Sequence, residues 1–442
     1  MRYSRPSAGQ AVYNDFIAAP ETYGAAKRLY YALAVAGPVD RGRLDSALRQ
    51  IVAHHESLRT SLEYRDGSLT QVIREPDEVT ESATAEVEWH GSADEVAQFI
   101  YDMDGWWADP RQLAIRTLIG TSPAGKTLIV CAFNHACCDG MSAEMVIDQA
   151  RNVYNNTADV GGVAPQQFSD YYSAMLDDGL QNCYGDWRRL MEESAPALPE
   201  GMTEQRQFCQ RCWIRVARFQ FDPDTVRMLH KIARSYACTP FEALSACAGI
   251  YFRRSDRKPS GVGVVHSGRQ RPHGFAVTGL LRSFVLDPVA AGRCRDARDV
   301  VIARREEFRA RLEHFARLPF EEACSLAGIA SGWRAGGLGP WQVELSGMYE
   351  RSITGTMGGA PIGISGADID ENEFCENGGP AFVFSFVIGA DRVACEMRFT
   401  EPPVNEALAS RVLSDIESVI RFIYTNPTMP PESVPAFYRA TS

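Results

Sequence analysis

The chain has 442 residues, 45% hydrophobic and 23% charged, with 45 Lys and Arg against 56 Asp and Glu for a formal net charge of −11. That length predicts two or three folded domains, and the composition is that of a soluble globular protein. The acidic balance has no basic tract to neutralise phosphate, which argues against a nucleic-acid surface, and no run approaches the roughly 18 to 20 apolar residues of a membrane span.

The N-terminal Met1-Arg2-Tyr3-Ser4-Arg5-Pro6-Ser7 lacks the apolar core of a secretory signal, so a cytoplasmic location is expected. Twelve cysteines are scattered along the chain, several inside apolar runs (Cys131, Cys247, Cys395), the pattern of reduced buried thiols. Cys209-Gln210-Arg211-Cys212 is the single CxxC pair. Without a second pair or spaced histidines it predicts no metal site.

In chain order, Leu29 to Val35 reads as a buried strand stopped by Gly37-Pro38, and Asp40 as the N-cap of a helix carrying Leu44, Leu48, Ile51 and Val52. Arg65-Asp66-Gly67-Ser68 signals a hairpin before Leu69 to Ile73. A helix from Ala93 to Met103 and strands at Leu113 to Ile119 and Thr127 to Phe133 follow. The last of these is almost wholly apolar, as suits a central strand covered on both faces. It leads into Asn134-His135-Ala136-Cys137-Cys138-Asp139-Gly140, and a helix from Ser142 to Tyr154 begins just beyond.

After a helical segment at Phe168 to Met175, the mixed stretch up to residue 210 divides the chain. The expected organisation is 1–178, a linker at 179–210, and 211–442. The second part opens with a strand (Trp213 to Phe221) and a helix (Asp224 to Tyr236) capped by Asp222. A further helix, Pro240 to Phe252, carries a capping box from Thr239 and Glu242. Strands at Val262 to His266 and Leu280 to Leu286, a helix at Asp299 to Phe315, strands at Ala381 to Ile388 and Ala394 to Phe399, and a helix at Glu406 to Tyr424 complete it. The stretch 353–380, with seven glycines and little periodicity, reads as a long functional loop or crossover.

The segment 134–140 concentrates the chemistry. An imidazole titrates near neutrality and suits a general base. A glycine at a helix start lets a backbone N–H approach a developing oxyanion. The aspartate four residues after the histidine could orient it or form an ion pair. By itself this spacing also fits a core histidine beside a helix-capping aspartate.

The segment resembles the HHxxxDG signature of the condensation-domain and acyl-CoA-dependent acyltransferase superfamily, and further matches occur in the family's order. His54-His55-Glu56-Ser57-Leu58-Arg59-Thr60 is similar to RHExLRT, Phe168-Ser169-Asp170-Tyr171-Tyr172 to YxDF, and His266-Ser267-Gly268-Arg269 to the strand ending in Gly-Arg. Thr278 to Phe284 loosely resembles GxFVNT, and His314 to Glu321 resembles HQDxPFE. The matches extend from about residue 7 to 425. There are departures: Asn134 stands where the first motif histidine would be, RDxSRNPL has no match near 340–350, and no DFGWG occurs. The last absence points to the condensation domains of nonribosomal peptide synthetases. An epimerising signature, HHxxxDxxSW, is matched at Ser142 but not at Ala143.

The resemblance implies an α/β fold of two chloramphenicol-acetyltransferase-like halves arranged as a V around a tunnel. It implies a free-standing acyltransferase, forming amides or esters from a thioester and an amine or alcohol. The donor would be carried on the phosphopantetheine of a separate acyl or peptidyl carrier protein, or on CoA, with no bound cofactor and no metal. His135 would be the base or nucleophile-positioning group, Gly140 a backbone donor, and Asp139 a structural support ion-paired with Arg269. Asn134, Tyr171 and Ser346 are the candidate substrate-binding residues. Cys137 and Cys138 read as packing residues, and His54, His55, His266, His314, Arg59, Thr60 and Pro319-Phe320-Glu321 as scaffold. A non-catalytic, condensation-like recruitment module is the alternative of another class.

Overall fold

The computed structural model describes residues 1–18, 28–103, 106, 109, 111–157, 166–193, 195–196, 212–252, 260–288, 294–327, 343–349, 355–364, 373–375, 382–401, 406–430 and 433. The chain forms two compact α/β units. The first comprises 1–177, 267–282 and 351–370, and the second 178–266, 283–350 and 371–442.

In the first unit the described strands form a six-stranded sheet in the order Thr356–Met357, Ala360–Ile364, Arg28–Val35, Thr127–Asn134, Ile115–Thr121, Thr84–Glu86. Thr127–Asn134 is central, antiparallel to both neighbours, with Tyr31 opposite Cys131 on one side and Thr117 on the other. Its continuous apolar run follows from burial on both faces. Leu128, Val130 and Ala132 pack with Trp89, Val96 and Ile100 under the helix Ala93–Asp102. Ile129, Cys131 and Phe133 pack with the helices Arg41–His54 and Gly140–Tyr154. Asp40 caps the first of these two helices through a bond from Arg43 N. The hairpin Thr60–Arg65 and Ser68–Ile73 joins Arg2–Ser4 in a separate three-stranded sheet among the described residues.

In the second unit the described strands form a mixed sheet ordered Ser283–Pro288, Ser260–His266, Val343–Tyr349, Phe382–Ile388, Val393–Glu401, Cys212–Gln220, Glu373–Cys375, with Ala195–Pro196 beside Ser260–His266. Its core lies under the helices Pro223–Ser235, Pro240–Tyr251, Ala297–Phe315 and Glu406–Thr425. Phe382, Phe384 and Phe386 alternate onto this face and stack at 5.7 and 6.0 Å between centroids. Thr239 and Glu242 form the capping box of Pro240–Tyr251.

Three expectations change. The strand expected from Leu280 begins only at Ser283, because the N–H groups of Leu281 and Arg282 donate to Asp139 instead of a sheet neighbour. The glycine-rich stretch 353–380 is not all loop: its described residues include the strands Thr356–Met357, Ala360–Ile364 and Glu373–Cys375. The first two form a hairpin over Gly358 and Gly359, whose φ values of 60° and 84° suit a tight two-residue turn. Such short strands leave too few residues for an alternating pattern to show. Finally, a helix, Tyr184–Glu193, lies inside the stretch read as linker. Its Trp187 is buried against Phe315 and Phe320 and donates to Leu318 O. Cys209 to Arg211 lie outside the described residues.

Candidate active site

The site begins where the central strand stops. Asn134 is its last residue, and its side-chain oxygen accepts from Ala136 N at 2.9 Å, while its carbonyl accepts from Cys137 N at 3.0 Å. This Asx turn reverses the chain within four residues. Asp139 then caps the helix Gly140–Tyr154, accepting from Ser142 N at 2.9 Å. The first N–H groups of a helix have no acceptor within it, so the positive end of this helix starts at Gly140.

His135 is 9% exposed, and its Nδ1 lies 3.0 Å from the carbonyl oxygen of Cys138. A carbonyl only accepts, so Nδ1 carries the proton and Nε2 is the basic nitrogen of the neutral ring. The Tyr13 ring, from the helix Ala8–Ala18, packs on the imidazole with centroids 4.2 Å apart at 34°. Arg282 donates from Nη2 to the Tyr13 hydroxyl, and its guanidinium lies 5.3 Å from that ring's centroid.

Behind the histidine lies a buried polar knot. Both oxygens of Asp139 pair with Arg269, at 2.8 and 2.9 Å. Asp139 also accepts from Ser142, Leu281 and Arg282 N–H groups, which makes five donors to one carboxylate. Burial works to raise its pKa, but the Arg269 charge and these donors outweigh burial and hold it below the usual carboxylate value. Ser142 Oγ accepts from Arg269 and Gly279 N and donates to Gly279 O. Gly268 sets up the approach of Arg269: its φ is +67°, and a Cβ there would lie 1.8 Å from Leu281 O.

Tyr171 is 1% exposed, and its hydroxyl donates to Gly268 O at 3.1 Å. Ser346 belongs to the second unit, in the strand Val343–Tyr349, and bonds Phe384 O and Ser385 Oγ. Burial pushes the Cys137 thiol up to about 12, and burial with the neighbouring Asp139 raises Cys138 well above its ordinary value. Neither is a thiolate at neutral pH, which disfavours a cysteine nucleophile. Arg59 donates to Arg74 O, Thr60 to Glu56 O, and Ser283 links Phe320 N to Glu321.

Sequence reasoning missed Tyr13, Tyr31 and the side chain of Arg282. Tyr31 donates to Gly140 O at 3.3 Å, and burial with the Glu144 charge raises its pKa, keeping it a donor. A charge in the apolar run Leu280-Leu281-Arg282 was the available signal for Arg282. Tyr13 sits on a helix with no motif to mark it.

A family model, Condensation domain, matches residues 26–285. The chain belongs to the condensation-domain family. Relatives of this condensation domain include the PKS-NRPS hybrid synthetase psoA of Aspergillus fumigatus, 25% identical over an alignment of 252 residues that covers 53% of the chain and 6% of that protein. Cyclosporin synthetase simA of Tolypocladium inflatum is 23% identical over 307 residues, 65% of the chain and 2% of its own length. The chain therefore spans only a small fraction of these curated relatives. Among solved structures, the X-domain from teicoplanin biosynthesis superimposes with a TM-score of 0.74 at 15% identity, over 97% of this chain and 96% of that one. The first condensation domain of the calcium-dependent antibiotic synthetase, in complex with a substrate analogue, gives 0.72 at 15% identity, over 98% of each. The fold is the two-part, chloramphenicol-acetyltransferase-like α/β fold of these domains.

Proposed function

We propose that this condensation domain is an acyltransferase that joins an acyl or aminoacyl thioester, carried on the phosphopantetheine of a carrier protein, to an amine or alcohol acceptor. The observation that carries the reading is the His135 tautomer: Nδ1 is committed to Cys138 O, so Nε2 is the nitrogen able to take a proton. The acceptor nitrogen or oxygen attacks the thioester carbonyl carbon as its proton passes to Nε2. The C–S bond then breaks, and the proton leaves with the thiolate sulfur. The negative charge on the carbonyl oxygen is stabilised by the Gly140 N–H at the helix N-terminus. Asn134 borders the site as a fixed acceptor and supplies no second titrating group. Asp139 keeps its charge and moves no proton. The chemistry calls for no bound cofactor or metal of the protein's own.

The second reading, a non-catalytic recruitment module, is favoured by the likeness to the teicoplanin X-domain, which has also been solved in complex with OxyB. Incubation with acyl-carrier and acyl-CoA thioesters plus amine or alcohol acceptors, followed by intact mass, separates the two. Product from the wild type and none from His135→Ala supports the condensing enzyme, and faster turnover of carrier-bound than CoA-bound donors supports the carrier. Equal turnover by His135→Ala rejects the role of His135. Carrier or enzyme binding without turnover across the panel favours recruitment.

A further inference from the structure

The proposed reaction depends on one nitrogen of His135 facing the acceptor, and the contacts around the ring show how that orientation is kept. The χ2 torsion of histidine is broad and roughly two-fold, so packing and hydrogen bonds must select one ring state. The in-plane bond from Nδ1 to Cys138 O is one such selector. That bond weakens steeply once the ring turns out of line with the carbonyl, so it fixes the ring state only while the ring plane is held. The second contact is facial: Tyr13 lies 4.2 Å from the imidazole, centroid to centroid, and is itself 7% exposed. A ring contact of this kind is the same for an imidazole and its 180° flip, so it does not choose the nitrogen itself; it holds the ring plane in which the Nδ1–H bond to Cys138 O forms.

Tyr13 comes from a helix at the start of the chain, so something must hold that helix against residue 135. Arg282 does this in two ways. Its side chain binds the Tyr13 hydroxyl and covers the phenol ring, while its backbone N–H is fixed to Asp139 Oδ2 at 3.0 Å. The ring that covers His135 is thereby tied to the same carboxylate that caps the helix after it. All of these residues belong to the first unit.

We infer that Tyr13, clamped by Arg282, is a positioning residue that holds the His135 imidazole in its Nδ1–H, Nε2-basic state. This rests on the proposed catalytic role of His135 for its consequence in turnover, but not for the ring state itself. The test uses 15N-histidine-labelled protein without ligand, in which imidazole nitrogen shifts report the tautomer of His135, assigned by comparison with His135→Ala. Wild type and Tyr13→Phe are expected to show one Nδ1–H tautomer. Tyr13→Ala is expected to show a mixture, with Tyr13→Leu, which keeps most of the volume, as the variant to read if Tyr13→Ala unfolds. A single unchanged tautomer in the folded Ala or Leu variant overturns the inference.

The kinetic arm uses whichever thioester and acceptor the wild type turns over. There kcat should fall on the order of a hundredfold in Tyr13→Ala, as for a misplaced catalytic group, with KM little changed and Phe restoring the rate. An unchanged kcat alongside an unchanged tautomer overturns the inference, whereas an unchanged kcat alongside a mixed tautomer counts against the proposed role of His135. Absence of wild-type turnover rejects the condensing reading, while the tautomer comparison still decides the role of Tyr13.

Discussion

Arg269 and Asp139 meet through two parallel hydrogen bonds, Nη1 to Oδ2 at 2.8 Å and Nη2 to Oδ1 at 2.9 Å, with the residues 0% and 1% exposed. The pair joins a segment that arrives late in the sequence to the helix cap beside His135. Its Coulomb gain is offset largely by desolvation, so its structural importance lies in what is stranded when one partner goes.

Asp139→Ala should therefore destabilise the first unit by about 3 to 5 kcal/mol, because it leaves the guanidinium buried without its anion. It also removes the acceptor for three backbone N–H groups, those of Ser142, Leu281 and Arg282. Removing both charges, as in Asp139→Asn with Arg269→Met, should recover part of the loss. Urea denaturation of the single and double variants measures this. A double variant less stable than either single one would contradict the account.

Acid sensitivity should come first from two buried histidines. Burial holds His55 down to about 4, against a bond to Gln149 that works the other way, and burial likewise holds His266 at about 4. Unfolded, each titrates near 6.5. The unfolded chain then binds more protons between these values, so stability is fully present above pH 6.5 and drains as pH falls towards 4. Each histidine contributes at most about 1.4 kcal/mol per pH unit in that window. The lowered pKa of Asp139 acts in the same direction but further down, below its unfolded value near 4. Urea midpoints at pH 7.5, 6 and 5 should decline, and His55→Gln should flatten the decline in the first unit. An unchanged slope in His55→Gln would show that His55 is not the titrating group.

Much of this arrangement was legible in the sequence because it is local. The apolar run before Asn134 announced a doubly covered strand, and the caps at Asp40, Asp222 and Thr239 appear where side-chain spacing placed them. What was not legible depends on distant partners. Tyr13 has no neighbour in sequence that signals a ring 122 positions later. Leu280 and Leu281 have strand character, yet the pull of one carboxylate delays the strand to Ser283. Ser142, noted for its place in a motif and at a helix start, proves to be a hub for Arg269 and Gly279. Tertiary packing decided the first of these and tertiary hydrogen bonding the other two, over local preference.

Asn134 allows a narrower prediction about the motif's altered first position. Its oxygen accepts from Ala136 N at 2.9 Å, which fixes the turn that presents His135. Asn134→Ala should cost about 1 kcal/mol, the net worth of such a bond. Asn134→Asp keeps the acceptor and should cost less than half of that. Equal losses in the two variants would mean that the side-chain bond is not what holds the turn.

Gly140 offers the cleanest separation of fold from chemistry. A glycine can be required by its backbone or by the space above it, and the two give opposite results on adding a methyl group. The backbone imposes nothing here: Gly140 is the first residue of a regular helix, and a Cβ would meet nothing nearer than the Tyr31 hydroxyl at 4.0 Å. Alanine is moreover the better helix former, by up to about 1 kcal/mol in a helix interior. Gly140→Ala should therefore fold with unchanged or slightly raised thermal stability. In the proposed reaction the acyl oxygen approaches the N–H of this residue, and the added methyl crowds that approach. Turnover should fall by about 100- to 1,000-fold, the range for losing one oxyanion donor. A melting curve and a turnover assay on the same preparation check both halves. Loss of stability would contradict the packing, and full activity would remove the Gly140 N–H from the proposed mechanism while leaving His135 to be judged by its own variant.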